Sequence, residues 1–326
     1  MDISTDSIPF AIALLILGTV MLYYGAEGLV KGSVKLAFRI GITPLIIGLT
    51  VVAFGTSSPE LVVSLSAAYQ GSSEIAIGNV IGSNICNIAL ILGIAALIRP
   101  IHVKMQLIKT DIAIMIAFSI LVFLFIIDGE ISQFEGVILV VSLFAYIYYN
   151  VWLTKKNNKK IELDDLDIPK SKTDKPILDI LLIIAGLLIL MLGAHTFLEG
   201  AIRIAKYIGA SNAIIGLTVV AFGTSLPELA TSVVASIKNE GDISIGNAIG
   251  SNIFNLLMIL GVTGLFYSIN TSGISYLDYG VMIGTSVIIV PMALMGMRIS
   301  RMNGATLLLI YIVYIGYLFT NLQTYD

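Results

Sequence analysis

Apolar residues run along this chain in long blocks separated by short polar connections. A membrane-crossing helix needs about 20 mostly apolar residues. Ten stretches meet that need: 8 to 30, 42 to 69, 75 to 98, 108 to 127, 134 to 153, 177 to 199, 210 to 237, 243 to 268, 276 to 297 and 304 to 321. The pattern predicts an all-α membrane protein with ten transmembrane helices. Composition agrees, with 57% of residues hydrophobic and 12% charged, against roughly 25% charged in soluble domains. The leader before the first stretch holds Asp2 and Asp6 but no Lys or Arg, unlike a signal peptide, so the first run is expected to remain as a span.

Within the apolar blocks, two passages are nearly repeated. Gly48-Leu-Thr-Val-Val-Ala-Phe-Gly-Thr-Ser-Ser-Pro-Glu60 returns as Gly216-Leu-Thr-Val-Val-Ala-Phe-Gly-Thr-Ser-Leu-Pro-Glu228, and Gly78-Asn-Val-Ile-Gly-Ser-Asn-Ile-Cys-Asn87 returns as Gly246-Asn-Ala-Ile-Gly-Ser-Asn-Ile-Phe-Asn255. The offset is 168 in both (228 − 60 and 255 − 87), so one structural unit is used twice. Gly18, Gly25, Ala26, Gly32 and Gly41 reappear in register as Gly186, Gly193, Ala194, Gly200 and Gly209. The chain divides into a first repeat (1–154), a charged linker (155–176) and a second repeat (177–326). An odd number of spans per repeat makes the second copy enter the membrane from the opposite side, an architecture common among secondary transporters.

Sixteen of the 18 Lys and Arg fall on one side if the N-terminus is outside; only Arg203 and Lys206 fall on the other. The positive-inside rule therefore places both termini extracellular and the linker, with its seven lysines from Lys155 to Lys175, in the cytoplasm. The linker is read as solvated chain, too short to build a domain core.

Gly, Ser, Asn and Pro crowd the second and third spans of each repeat. Proline removes an amide donor and displaces the carbonyl four residues back. Pro59 should thus release the carbonyl of Gly55, and Pro227 that of Gly223. Breaks are expected in spans 2, 3, 7 and 8, where irregular backbone is tolerated only if it is buried in protein or lines a cavity. The plainer alternative is close packing by small residues, but a glutamate stands beside each proline. Glu60 and Glu228 alone among the acids fall in the middle of predicted spans, and no Lys or Arg lies at that depth to pair with them. A bound cation is the remaining partner.

Hard cations take oxygen ligands. The repeats supply carboxylates from Glu60 and Glu228, hydroxyls from Thr56, Ser57, Thr224 and Ser225, amides from Asn87 and Asn255, and carbonyls from Ala53 and Ala221. The spacing of Thr56 from Glu60, and of Thr224 from Glu228, would place each pair on one helical face. Ser83, Asn84, Ser251 and Asn252 are read as hydrogen-bonding across helices, a role that also stays open for Asn87 and Asn255. Cys86, the only cysteine, is read as a packing residue, and His102 and His195 lie near span ends, so nothing resembles a zinc or copper site. No nucleophile, base and orienting residue converge near the glutamates; the protein is not expected to be an enzyme, and no cofactor or nucleic acid is implied.

The doubled Gly-Thr-Ser-Xaa-Pro-Glu and Gly-Asn-Xaa-Ile-Gly-Ser-Asn-Ile-Xaa-Asn sequences resemble the alpha repeats of the sodium/calcium exchanger family, over 42–98 and 210–268. The resemblance implies a prokaryotic-type antiporter in the plasma membrane that imports Na⁺ to expel cytosolic Ca²⁺, with Sr²⁺ and H⁺ as further ions. It implies ion ligands at Glu60, Glu228, Thr56, Thr224, Ser57, Ser225, Ala53, Ala221 and Asn87; no obligate protein partner is inferred, a monomer would suffice, and the sequence leaves the oligomeric state open. Several members carry Asp where this chain has Asn255. The family's first and sixth spans slide past a rigid remainder, and Gly18, Gly25, Gly186 and Gly193 would suit a smooth sliding face. The nearest alternative function is Ca²⁺/H⁺ antiport; a channel fits an inverted duplication less well. A cysteine introduced between 155 and 175 is expected to react with an impermeant thiol reagent only from the cytoplasmic side, and labelling from outside would reverse the assigned orientation.

Overall fold

In the computed structural model, the residues described are 8–158, 176–207, 221–271 and 274–321. Their order is α1 (Ile8–Ile40), α2 (Pro44–Thr56), α3 (Ser58–Tyr69), α4 (Ser73–Ile98), β1 (Ile101–His102), α5 (Met105–Asp128), β2 (Glu130–Ile131), α6 (Gln133–Asn158), α7 (Pro176–Tyr207), α8 (Ala221–Thr224), α9 (Leu226–Ile237), α10 (Gly241–Phe266), β3 (Ile269–Asn270), α11 (Tyr276–Leu294), β4 (Arg298–Ile299) and α12 (Arg301–Asn321). Among the described residues eight helices are long and apolar enough to span a membrane, and α2 with α3 makes a ninth span bent by 41°. The predicted span 210–237 is described only from Ala221, as α8 and α9. Its first half, with Gly216, lies outside the described residues, as do Gly209 and most of the linker.

Two-residue strands tie the halves together. Ile101 and His102 pair antiparallel with Ile299 and Arg298, and Glu130 and Ile131 with Asn270 and Ile269. At the 168 offset β1 corresponds to β3 and β2 to β4, so each ladder joins one half to the non-equivalent connection of the other. The larger apolar core is built from α2, α4, α5, α6, α10, α11 and α12. A second, smaller core joins α1 and α7 to α2 and α9.

The breaks differ from the sequence expectation. Ser57 and Ser225 leave helical geometry, and they interrupt spans 2 and 7. Spans 3 and 8 are continuous, as α4 and α10. Glycine, serine and asparagine fit helical backbone there. Instead of breaking, the helices widen into π turns at Cys86–Leu92 and Asn255–Ile259, a distortion that often marks functional sites. The α10 glycines serve close approach: a Cβ on Gly246 would lie 2.8 Å from the Leu45 carbonyl, and one on Gly250 2.7 Å from that of Leu49.

A glycine seam at seven-residue spacing joins α1 to α7 in antiparallel contact. A Cβ on Gly18 would lie 2.5 Å from Phe197 N, one on Gly186 2.5 Å from Leu29 N, and one on Gly193 2.9 Å from Leu22 N. These glycines therefore lock the two helices to each other and do not form a smooth face toward the remainder. Arg39 of α1 closes one end of the seam on Asp179 of α7, 2.7 Å apart. Both helices outrun their predicted ends at residues 30 and 199, because the seam continues through Gly32 and Gly200. Gly186→Ala is expected to destabilise the protein by about 1–3 kcal/mol through overpacking, read as a lowered thermal midpoint in detergent. Gly28→Ala, whose Cβ would meet nothing nearer than 3.6 Å, is expected to leave that midpoint unchanged.

Candidate ion site

The site starts from two matching backbone breaks. Ser57 (φ −83°, ψ 1°) and Ser225 (φ −86°, ψ 6°) end α2 and α8, and a proline in the first turn of the next helix follows each. Glu60 and Glu228 fall in the first turns of α3 and α9, where the positive end of the helix dipole favours a carboxylate. Both are 1% exposed. Ser57 Oγ donates to Glu228 Oε1 at 3.1 Å, so the break in one half touches the acid of the other. Asn79 Nδ2 donates to the Glu60 carbonyl at 3.2 Å and to Ser64 Oγ at 3.0 Å. Asn247 Nδ2 does the same to the Glu228 carbonyl at 3.3 Å and to Ser232 Oγ at 3.1 Å.

In and beside the repeated passages, the buried oxygens Glu60 Oε2, Glu228 Oε2, Asn87 Oδ1 and Asn255 Oδ1 accept no hydrogen bond. The corresponding nitrogens are engaged. Asn87 Nδ2 donates to Asn252 Oδ1 at 3.0 Å and Asn255 Nδ2 to Asn84 Oδ1 at 2.9 Å. Leaving a buried oxygen unpaired costs about 1–3 kcal/mol, and more if it is charged. Each of the four calls for an electropositive partner. The donor set, two carboxylates and two amide oxygens, suits a hard cation.

Other buried acids are not in this position. Asp111 accepts from Tyr146 Oη at 3.1 Å, Asp179 pairs with Arg39, and Asp278 accepts from Tyr314 Oη at 2.8 Å and from Ser275 N–H at 2.9 Å. These three sit near the starts of their helices, at span ends as expected, and are nonetheless buried. What separates Glu60 and Glu228 is that, among the described residues, theirs are the buried carboxylates with an oxygen unpartnered.

The remaining predicted ligands are placed as follows. Thr56 and Ser225 are buried; Thr56 Oγ1 donates to Asn247 Oδ1 at 3.0 Å, and Ser225 Oγ to Ser83 Oγ at 3.4 Å. Thr224 is buried at the end of α8, and Ala221 opens that helix. The helical-face argument for Thr56 and Glu60 does not hold, because the helix breaks between them at Ser57. Nor is the Ala53 carbonyl free: Ser57 N–H donates to it at 3.0 Å and Thr56 Oγ1 at 3.4 Å. Asn84 and Asn252 bond across helices as expected, each to the other's backbone carbonyl. Sequence reasoning passed over Asn79, Asn247, Ser64 and Ser232, although all four recur at the 168 offset inside or beside the repeated passages.

A cavity of about 280 Å³ lies elsewhere, between the connections at Arg99–His102 and Asn239–Asp242, and no predicted ligand lines it. Burial, then the charge of Asp242, raises the Glu240 carboxyl there above its ordinary range, while Asp242 pairs with Lys104 at 2.6 Å.

Residues 10–152 and 178–320 both match the family described as sodium/calcium exchanger protein. The two matched stretches are again offset by 168 (178 − 10 and 320 − 152). The sodium/calcium exchanger MaX1 of Methanosarcina acetivorans is 34% identical, over 94% of this chain and 97% of its own length. The putative antiporter CaxA of Alkalimonas amylolytica is 36% identical, over 94% and 98%. Among solved structures, the sodium-calcium exchanger NCX_Mj, soaked without Na⁺ and Ca²⁺, superposes with a TM-score of 0.83 at 35% identity, over 96% of this chain and all of that one. Repeat, site and fold thus converge, and the chain belongs to the sodium/calcium exchanger family.

Proposed function

We propose that the protein is a plasma-membrane antiporter that exchanges extracellular Na⁺ for cytosolic Ca²⁺ at one site built on Glu60 and Glu228. The observation that carries this reading is the four unpartnered oxygens, two from each half, on the residues that end the repeated passages. Thr56, Ser57, Thr224 and Ser225, with the Ala221 carbonyl and the Ala53 carbonyl once Thr56 Oγ1 turns away from it, complete the proposed ligand shell. Ten spans in two inverted five-span repeats account for the strand ladders, which pair β1 with β4 and β2 with β3. In inverted repeats those non-equivalent connections share a membrane face, whereas in parallel repeats they would not.

Exchange follows from charge. Two ionised carboxylates deep in a low-dielectric site repel each other and lack solvation, so the empty site is unfavourable by several kcal/mol. One Ca²⁺ neutralises the pair, and so do two Na⁺. Forms that carry cations can reorient while the empty form cannot, and one ion species must leave for the other to move. The protein residues act by holding oxygens at fixed places and by excluding any Lys or Arg that would satisfy the acids without an ion.

The moving part in this reading is the α1–α7 pair, which has its own small core against α2 and α9. Glu27 of α1 forms an ion pair with Lys238, beyond the end of α9, and so bridges the pair to the remainder. That hydrogen bond raises the Lys238 ammonium above its usual range.

Glu60→Gln and Glu228→Gln are each expected to abolish Na⁺-driven ⁴⁵Ca²⁺ uptake into proteoliposomes; uptake that survives in either variant would remove the glutamates from the site. Uptake driven by a pH gradient without sodium would instead assign Ca²⁺/H⁺ antiport. In a chain with Cys86 replaced by Ala, joining Glu27→Cys to Lys238→Cys is expected to stop exchange until a reductant is added. Undiminished flux through the crosslinked protein would rule out sliding of α1 at that point.

A further inference from the structure

Resting on the ion-site reading above, we propose that Asn84 and Asn252 are positioning residues that decide which end of Asn255 and Asn87 faces the cation. A primary amide is a near-symmetric fork, with an acceptor oxygen on one tine and two N–H donors on the other. Turned one way it binds a cation, and turned the other it presents positive hydrogens. Residues 87 and 255 serve as ligands only if something else holds their nitrogens away.

The structure supplies that holder twice, each time from the opposite half. Asn252 Oδ1 takes the Asn87 Nδ2 donor, and Asn84 Oδ1 takes that of Asn255. Asn84 and Asn252 are themselves prevented from flipping, because Asn84 Nδ2 donates to the backbone carbonyl of Asn252 at 3.4 Å and Asn252 Nδ2 to that of Asn84 at 3.2 Å. The orientation therefore passes from backbone, which cannot flip, to Asn84 and Asn252, and from them to the amides whose oxygens remain unpartnered. All four asparagines are at most 1% exposed, so solvent does not stand in for a missing partner.

The same geometry explains why residue 255 and residue 84 go together. Asn84 presents an oxygen to position 255, which suits an amide donor. An aspartate at 255 has no donor to offer and would meet Asn84 Oδ1 as acceptor against acceptor, but it would also need no holder, since both of its ends are oxygens. Asn84 is thus required by Asn255 and opposed to an aspartate there.

The test is a double-mutant cycle read by equilibrium ⁴⁵Ca²⁺ binding to the purified full-length protein in sodium-free buffer. With Asn255 present, Asn84→Leu is expected to weaken Ca²⁺ binding about tenfold, the size of one hydrogen-bond preference of about 1.4 kcal/mol. In the Asn255→Asp background the same Asn84→Leu change is expected to weaken binding less than twofold or to strengthen it. A general packing defect would lower affinity equally in both backgrounds, and equal losses, or no loss with Asn255, overturn the proposal. If Asn84→Leu does not fold, Asn84→Ala and the mirror cycle of Asn252→Leu with Asn87→Asp make the same comparison. Glu228→Gln is run alongside. Binding that survives it removes the ion-site reading itself, whereas binding lost with Glu228→Gln and an additive asparagine cycle removes only the positioning role.

Discussion

Two carboxylates are buried in the middle of this protein without a basic residue among the described ones to answer them, and most of the surrounding architecture is a response. An unpaired buried charge is among the costliest groups a fold can hold. The other buried acids show the ordinary solution: Asp179 meets Arg39, and Asp111 and Asp278 each meet a tyrosine hydroxyl. Glu60 and Glu228 receive helix N-termini and serine contacts, which lower the burden without removing it. The unpartnered amide oxygens of Asn87 and Asn255 are further acceptors without a donor. In the antiporter reading an exogenous cation answers all of them, and that need couples ion exchange to reorientation.

Duplication sets how those provisions are arranged. Elements equivalent by the 168 offset do not pair with each other in the strand ladders, and several of the site's contacts cross from one half to the other. Ser57 of one half contacts Glu228 of the other, and its counterpart Ser225 stands beside Ser83 and Glu60 of the first.

Much of this was legible in the chain. Apolar block length located the spans, and a proline–glutamate pair inside an apolar block announced both the break and the acid. Other features depend on what a residue meets and not on what it is. Gly78 and Gly82 suggested a broken third span, but glycine is compatible with a helix, and only packing decides. The seam glycines could equally have served sliding or locking until Gly18 was seen against Phe197 and Gly186 against Leu29. The role of Asn84 was half visible: its cross-helix bond followed from burial, whereas its hold on Asn255 needed coordinates. Asn79 and Asn247 were not legible in the chain because their amides hold the backbone carbonyls of Glu60 and Glu228, a contact that spacing alone does not announce.

Asn255 bears on the energetics of the cycle more than its neutral charge suggests. With an amide there the side-chain ligands of the proposed site carry a formal charge of −2, from Glu60 and Glu228. A Ca²⁺-loaded site is then neutral, as is one loaded with two Na⁺, and either crosses a low-dielectric barrier without the penalty of net charge. Any further Na⁺ would travel as uncompensated charge, solvated only by amide, hydroxyl and carbonyl oxygens. Such a step would respond directly to membrane potential, at about 2.3 kcal/mol per charge per 100 mV. Neutral oxygens held rigidly in the right direction are what make it tolerable. Fixing the amides of Asn87 and Asn255 therefore bears on how many ions the site can hold as well as on how tightly it holds one.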